Sequence, residues 1–388
     1  MRVLFDHQAF ELQTIGGVSR SYAEIISHLR SLGCDCPISI KESDNIYLKE
    51  KKLESPIYPL HYHHNLLFGK KQLFNGQRYL TRKLLKLLGY SNDCWNFNRD
   101  LSIKRIKNQQ FDIFEPTFFD SYFLPYLKEK PFVLTVHDMI PEVFPEYFPR
   151  DDFQIVQKRE LCHLAAHIHV PSQKTKEDLI NILNIKPENV SVIYHGAPFF
   201  TENENYTKNL FDFPYLLYVG DRYGYKNFAP WLRSAQRVIN DYPDIHIVCT
   251  GKSFNSIELR LIDDLHLNNN VHHFFANQES LSSLYHNAIA FVYPSEYEGF
   301  GLPILEAFTY ECPVMLNASS CFPEVGGDAV IYFNQKRESS DFYDKFQTLL
   351  LMSSKERSDL IERGKARLLS FSWEKAAKQL LSIYSRLA

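Results

Sequence analysis

Two carboxylates eight positions apart, Glu298 and Glu306, lie in the stretch 294–310, PSEYEGFGLPILEAFTY. Ahead of them, residues 288–293 form a short apolar, β-branched and aromatic run that predicts a buried strand, ended by Pro294 and Ser295. Gly299-Phe300-Gly301 predicts a turn whose backbone can approach a ligand closely. Pro303 suits the first turn of a helix, where its missing N–H costs nothing. A strand, a glycine loop and a helix N-terminus leave free N–H groups and a positive dipole end, a seat for phosphate or a sugar oxyanion. Carboxylates beside a phosphate would repel it, so the glutamates are better suited to accept hydrogen bonds from hydroxyl groups. A nucleotide sugar offers both kinds of partner: hydroxyls on sugar and ribose, with a diphosphate between them. For an isolated pair of glutamates, a surface turn and an ordinary helix-former would be the plainer reading. The EGFGLP loop behind a buried strand decides for the site.

Three further groups of residues fit the same chemistry. The strand 1–6 and the loop 7–17 lead to Gly16-Gly17 and an amphipathic helix ending at Gly33. The amides of Gly16 and Gly17 can face a diphosphate, and Arg20, one turn in, reaches toward phosphate or solvent. The strand 132–136 runs into His137-Asp138, a polar pair where open α/β sheets place ligand residues; a buried structural histidine is the alternative. Strand 215–219 is followed by Gly220-Asp221-Arg222-Tyr223-Gly224-Tyr225-Lys226-Asn227 and a helix from 228. Arg222 and Lys226 there form a cation pair that can neutralise a leaving diphosphate without metal, Arg as a fork and Lys as a point charge. Ordinary surface cations are the bland alternative. No D-x-D stands at a strand end to hold Mg²⁺. His61-Tyr62-His63-His64 lacks accompanying carboxylate or cysteine spacing and reads as a surface loop, so no metal is expected.

The segment EYEGFGLPILEAF resembles the E-x7-E signature of the family-four retaining glycosyltransferases, which have the GT-B fold. GGVSR at 16–20, TVHD at 135–138 and PSQKTKEDL at 171–179 are also similar to the family's segments, so the likeness covers nearly the whole chain and is weakest over 41–110. The resemblance implies an α/β, GT-B architecture of two Rossmann-like domains with mostly parallel sheets facing a central crevice. It implies that Glu298 binds the donor sugar, that Glu306 binds ribose and that His137 lines the sugar pocket. It places the base near the backbone of the turn Phe275-Ala276-Asn277, and the diphosphate on Arg222, Lys226, Gly16, Gly17 and the loop that includes Phe300, Gly301 and Leu302. The family's usual order in its cation loop is G-R-x-x-x-x-K; here Asp221 intervenes and the loop is shorter. The reaction implied is retaining transfer of a hexose from a nucleotide diphosphate sugar to a glycan or lipid-linked glycan in surface polysaccharide synthesis. GDP-mannose is the first choice of donor, UDP-sugars the next, and no further cofactor is expected. A nucleotide-sugar epimerase of the same fold and a non-catalytic nucleotide-sugar-binding protein are the other classes.

The rest of the chain sets bounds. The 388 residues, 45% hydrophobic and 14% aromatic, suffice for two domains with sizeable cores. The expected division is a first domain over 1–198, a linker over 199–213 and a second domain over 214–370. A last helix over 371–388 is implied by the resemblance to cross back onto the first domain. Net charge −3 and pI near 6.6 argue against nucleic acid as the main partner. Seven cysteines, odd in number and without a C-x-x-C pair, fit a reducing cytoplasm. No apolar run has transmembrane length and no signal peptide is apparent. In 69–89, GKKQLFNGQRYLTRKLLKLLG, Lys70, Lys71, Arg78, Arg82, Lys83 and Lys86 interleave with leucines and no acid interrupts them. This predicts either a solvated helix face over the core or a peripheral contact with anionic lipid.

Overall fold

The computed structural model describes residues 1–55, 57–60, 96–149, 152–197 and 208–388. The histidine cluster 61–64, the basic segment 69–89 and the linker residues 199–207 lie outside the described residues.

The first half carries five short strands, β1 (Val3–Phe5), β2 (Ile113–Glu115), β3 (Val133–Thr135), β4 (His167–Val170) and β5 (Val190–Val192). β1 pairs with β2, and β3 with β4 and β5, all in parallel. A bridge between Phe114 and Phe132 connects the two groups. The second half holds one six-stranded sheet in the order β11-β10-β9-β6-β7-β8. Its strands are β6 (Tyr215–Tyr218), β7 (His246–Cys249), β8 (Val271–His273), β9 (Ala290–Tyr293), β10 (Val314–Asn317) and β11 (Ile331–Phe333), again all parallel. Tyr215–Tyr218 (YLLY) and Ala290–Tyr293 (AFVY) are buried at every position, because helices cover both faces of a parallel sheet. β6 lies between β7 and β9, so the connections leaving β6 and β9 depart on opposite sides. Such a switch point opens a crevice at the carboxyl ends of the strands.

Among the helices that cover these sheets are α1 (Gln8–Leu12), α2 (Gly17–Ser31), α3 (Gln173–Leu183), α4 (Phe228–Asp241), α5 (Ser256–Asp264), α6 (Gln278–Asn287), α7 (Leu302–Thr309) and α8 (Trp373–Leu387). The sequence predicted an irregular loop over 7–17; α1 occupies part of it instead. This five-residue helix has no side-chain N-cap and is pinned from afar. The Ala9 amide donates to Thr117 Oγ1 at 3.0 Å, and Thr117 donates through its amide and hydroxyl to Asp6 Oδ1 at 2.8 and 2.6 Å. Its cause lies more than a hundred residues away, which no local pattern displays.

Trp373, Leu380, Ile383 and Tyr384 of α8 share a core with Tyr22, Ile26 and Leu29 of α2. The Tyr384 hydroxyl also donates to the fully buried carboxylate of Glu115. Thus the last helix is built into the first half of the molecule. The chain passes between the halves twice, at adjacent points: the Ala197 amide donates to the Phe371 carbonyl at 3.1 Å. A Cβ on Gly196 would lie 2.4 Å from the Trp373 ring and backbone nitrogen, so only glycine permits this crossing. Among the described residues no helix is long and apolar enough to cross a membrane. No group of three or more His, Cys, Asp or Glu among them is placed to hold a metal ion.

Candidate active site

The loop after β9 is fixed from the neighbouring strand connection. Asn317 Nδ2 donates to the carbonyls of Pro294 and Ser295, and Ser320 Oγ both accepts from the Glu298 amide and donates to its carbonyl. Gly301, at φ +91°, then makes the left-handed turn into α7, with Pro303 in the helix's first turn. Opposite stands the N-terminus of α2, with Gly16 as its N-cap. A Cβ on Gly16 would strike Gln13, whose Oε1 accepts from the Ser19 amide at 3.0 Å. That leaves the amides of Gly17 and Val18 without intrahelical partners. A Cβ on Gly17 would meet Leu302 Cδ1 at 3.7 Å, so the two helix N-termini face each other across the crevice.

Charged groups on these walls occur in pairs. Lys226, at the end of the turn Gly224–Lys226, donates to both carboxylate oxygens of Glu298 at 2.7 and 2.9 Å. Burial works to lower the Lys226 pKa, but the Glu298 carboxylate outweighs it and the net shift is upward, so the ammonium stays charged. Glu306, about one turn into α7, accepts from Arg20 Nη1 of α2 at 2.5 Å and from the Tyr285 hydroxyl of α6 at 3.1 Å. The Tyr285 hydroxyl is held protonated, its pKa raised by burial and then by Glu306.

His137 lies edge-on against Tyr22, with ring centroids 5.6 Å apart, and 6.2 Å from His195. Burial first, then His195 and His169, hold its pKa well below 6.5, so the ring is neutral. Its Nε2 is sealed from solvent and has no hydrogen-bond partner among the described residues, an unpaired buried polar atom in a residue that lines the crevice. His195, packed against Phe300 and Trp373, is likewise neutral, its pKa pushed down to about 3 by burial and then by His169. Gly299 passes so close to the His137 carbonyl that a Cβ there would lie 1.9 Å from the oxygen.

Together these groups line a crevice of about 480 Å³ between the halves, within the roughly 300–1,000 Å³ of small-molecule sites. It brings together Gly16, Gly17, His137, Lys226, Glu298, Phe300, Gly301, Leu302 and Glu306 of the residues singled out from sequence. A smaller cavity of about 230 Å³ adjoins it and shares Val18 and His137. Phe118, Phe119, Phe148 and Tyr225 line it, with the carboxylates of Asp138 and Asp152.

Two expected residues stand elsewhere. Arg222 does not face the crevice beside Lys226. Its side chain, 2% exposed, turns under its own loop and pairs with Glu258 at 2.9 Å. It also donates to the carbonyls of Thr250, Lys252 and Ser253, tying together the connections that leave β6 and β7. With its donors committed to these partners, the guanidinium is a structural clamp. Phe275 is 74% exposed and packs edge-on against His273, 4.4 Å between centroids; Ala276 and Asn277 line the crevice in its place. Arg20, read from sequence as reaching toward phosphate or solvent, forms part of the wall, and so does Tyr285, which sequence did not single out. Arg20 had a legible signal, its position one turn beyond the glycine pair on the same helix. Tyr285 had none, because its partner lies on another element.

Residues 15–199 match the model of Glycosyltransferase Family 4, and residues 201–367 match that of Glycosyl transferases group 1. The chain is 29% identical over 227 residues to the O-antigen chain mannosyltransferase RfbU of Salmonella typhimurium, covering 56% of this chain and 60% of that protein's length. It is 28% identical over 285 residues to the O-antigen chain mannosyltransferase B of Escherichia coli, covering 69% and 73% of the two chains. The fold is similar to that of Anabaena HepE, solved in complex with UDP and glucose, with a TM-score of 0.72 and 15% identity over the full length of both chains. The architecture is therefore GT-B.

Proposed function

Because the chain belongs to the family-4 glycosyltransferases, we propose that the crevice transfers a hexose, with retention of anomeric configuration, from a nucleotide diphosphate sugar to a hydroxyl acceptor. The observation that carries this reading is the convergence of Lys226, Glu298 and Glu306 between two opposed helix N-termini. In the proposed complex, ribose hydroxyls donate to Glu306 and sugar hydroxyls to Glu298. The diphosphate rests on Lys226, the Gly16 and Gly17 backbone and the 299–302 loop. The neutral His137 lines the sugar pocket.

The bond from the anomeric carbon to the diphosphate oxygen breaks through an oxocarbenium-like transition state. Charge grows on the departing phosphate, where an ammonium and helix N-termini already in place lower the barrier most. No side chain is assigned as nucleophile: the acceptor hydroxyl attacks on the face the diphosphate leaves, and that phosphate takes the acceptor's proton. No metal is required in this scheme. The adjoining cavity, with its aromatic walls and two carboxylates, suits an acceptor sugar, an apolar face on phenylalanine and hydroxyls toward Asp138 and Asp152.

GDP-mannose is the proposed donor, on the likeness to O-antigen mannosyltransferases, with UDP-sugars the other choice. The proposed acceptor is a glycan or lipid-linked glycan of a surface polysaccharide, met at the cytoplasmic membrane face with help from residues 69–89. Incubating the protein with a panel of nucleotide sugars, with and without membrane lipid extract, tests the proposal. Acceptor-dependent release of nucleotide supports transfer. Isomerised or hydrolysed donor without acceptor makes the protein an epimerase or hydrolase, and binding without turnover makes it a binding protein.

A further inference from the structure

Among the described residues that line the donor crevice, Arg20 and Lys226 are the cations, and each is already matched to a carboxylate. The crevice is thus balanced before any ligand arrives. Both oxygens of Glu306 are occupied, Oε1 by Arg20 at 2.5 Å and Oε2 by the Tyr285 hydroxyl at 3.1 Å. Each oxygen keeps a second lone pair, but ribose hydroxyls that reach Glu306 compete with Arg20 for the same carboxylate and weaken its hold. A guanidinium whose side chain is 24% exposed cannot be left without an anion at low cost. The ligand that displaces it supplies one. Arg20 lies on the first turn of α2, its amide donating to the Gly16 carbonyl at 3.0 Å, beside the free amides that face the diphosphate position. Its planar fork suits two phosphate oxygens, as Arg222, locked on Glu258, no longer can.

We propose that Arg20 is the second diphosphate-binding cation of this site, held on Glu306 until ribose displaces it and then passed to the phosphates. The proposal rests on the donor reading above. It has a structural consequence: Arg20 belongs to the first half and Glu306 to the second. The bound nucleotide therefore replaces a direct ion pair between the halves and becomes their bridge.

The exchange predicts opposite responses to a single substitution. Titration of the full-length protein with GDP and guanosine, and with UDP and uridine, reads them. Arg20→Ala is expected to weaken the diphosphate about ten- to a hundredfold, the range for one charge-assisted hydrogen bond. Binding of the bare nucleoside is expected to hold or tighten, because Glu306 is released. Arg20→Lys, which keeps the charge but not the fork, is expected to fall between for the diphosphate, and shows that any loss is not one of folding. Equal weakening of nucleoside and diphosphate by Arg20→Ala, or an unchanged diphosphate affinity, would overturn the proposal while leaving the donor reading intact. A wild-type protein that binds neither diphosphate would overturn both.

Discussion

Replacing Gly299 by alanine tests how closely the two halves must approach for the site to exist. The backbone of Gly299 is outside the left-handed region, so the substitution introduces no conformational strain of its own. It introduces a collision: the new Cβ would lie 1.9 Å from the His137 carbonyl oxygen, 2.9 Å from its carbon and 3.1 Å from Asp138 Cβ. Real Cβ atoms essentially never come within 3.0 Å of another group, and the nearest atoms here are backbone, so one loop must retreat by at least about 1.1 Å. Glu298 and His137 are attached directly to the two loops and move with them. A misplacement of about 1 Å can cost roughly 10²-fold in rate. We therefore expect kcat/KM for the nucleotide sugar to fall about 10²-fold, with the affinity for bare nucleotide changed by less than about threefold, since Glu306 lies a helical turn away. Steady-state nucleotide release beside nucleotide titration separates the two quantities. Turnover within about threefold of wild type, or a loss of nucleotide affinity as large as the loss of turnover, would refute the reasoning.

Lys226→Ala should lower the rate on the order of 10²–10³, the scale for removing one preorganised donor to a leaving group, while wild-type activity survives EDTA. Loss with EDTA and rescue by Mg²⁺ would show that a metal carries the diphosphate instead. His195, with its pKa pushed down to about 3 in the fold, stays neutral at pH values where the unfolded chain takes up a proton. Its stabilising contribution is complete above about pH 6.5 and is lost as pH falls toward 3, by about 1.4 kcal/mol per pH unit. Urea unfolding at pH 7 and pH 5 should therefore differ by about 2 kcal/mol less in His195→Gln than in wild type; an unchanged difference would mean the ring is not buried neutral. Replacing Arg82, Lys83 and Lys86 by glutamine should release the protein from anionic vesicles without altering nucleotide affinity, as should added salt. Continued sedimentation of the variant, or no binding by wild type, would remove the membrane role from 69–89.

Much of the sheet framework is legible in sequence because its causes are local. YLLY and AFVY are apolar at every position, with Gly220 close behind the first and Pro294 directly behind the second, so these strands announce themselves. The E-x7-E loop is legible for the same reason, since Gly301 and Pro303 state the turn and the helix start. What could not be read depends on residues distant in the chain. Arg222 is taken from the crevice by Glu258, 36 residues on, and by the carbonyls of a neighbouring loop. The pairing of Arg20 with Glu306, 286 residues on, is equally invisible, although the place of Arg20 beyond the glycine pair is not. The need for glycine at 299 is set by a carbonyl in the other half of the molecule, and α1 exists because Asp6 and Thr117 hold it. Local pattern names the groups able to bind a diphosphate sugar. Only the packing of the halves shows which of them are free to do so.

The proposed division of the donor between two carboxylates is tested most directly by titrating GDP and GDP-mannose, with UDP and UDP-glucose as the second pair, into wild type, Glu298→Gln and Glu306→Gln. Glu306→Gln should weaken the bare nucleotide and the nucleotide sugar alike, by roughly 1.5–3 kcal/mol. Glu298→Gln should leave the bare nucleotide unchanged and remove only the increment in affinity that the sugar adds. Equal losses for both ligands in both variants, or a bare nucleotide that depends on Glu298 and not on Glu306, would contradict the assignment of ribose and sugar to the two ends of the crevice.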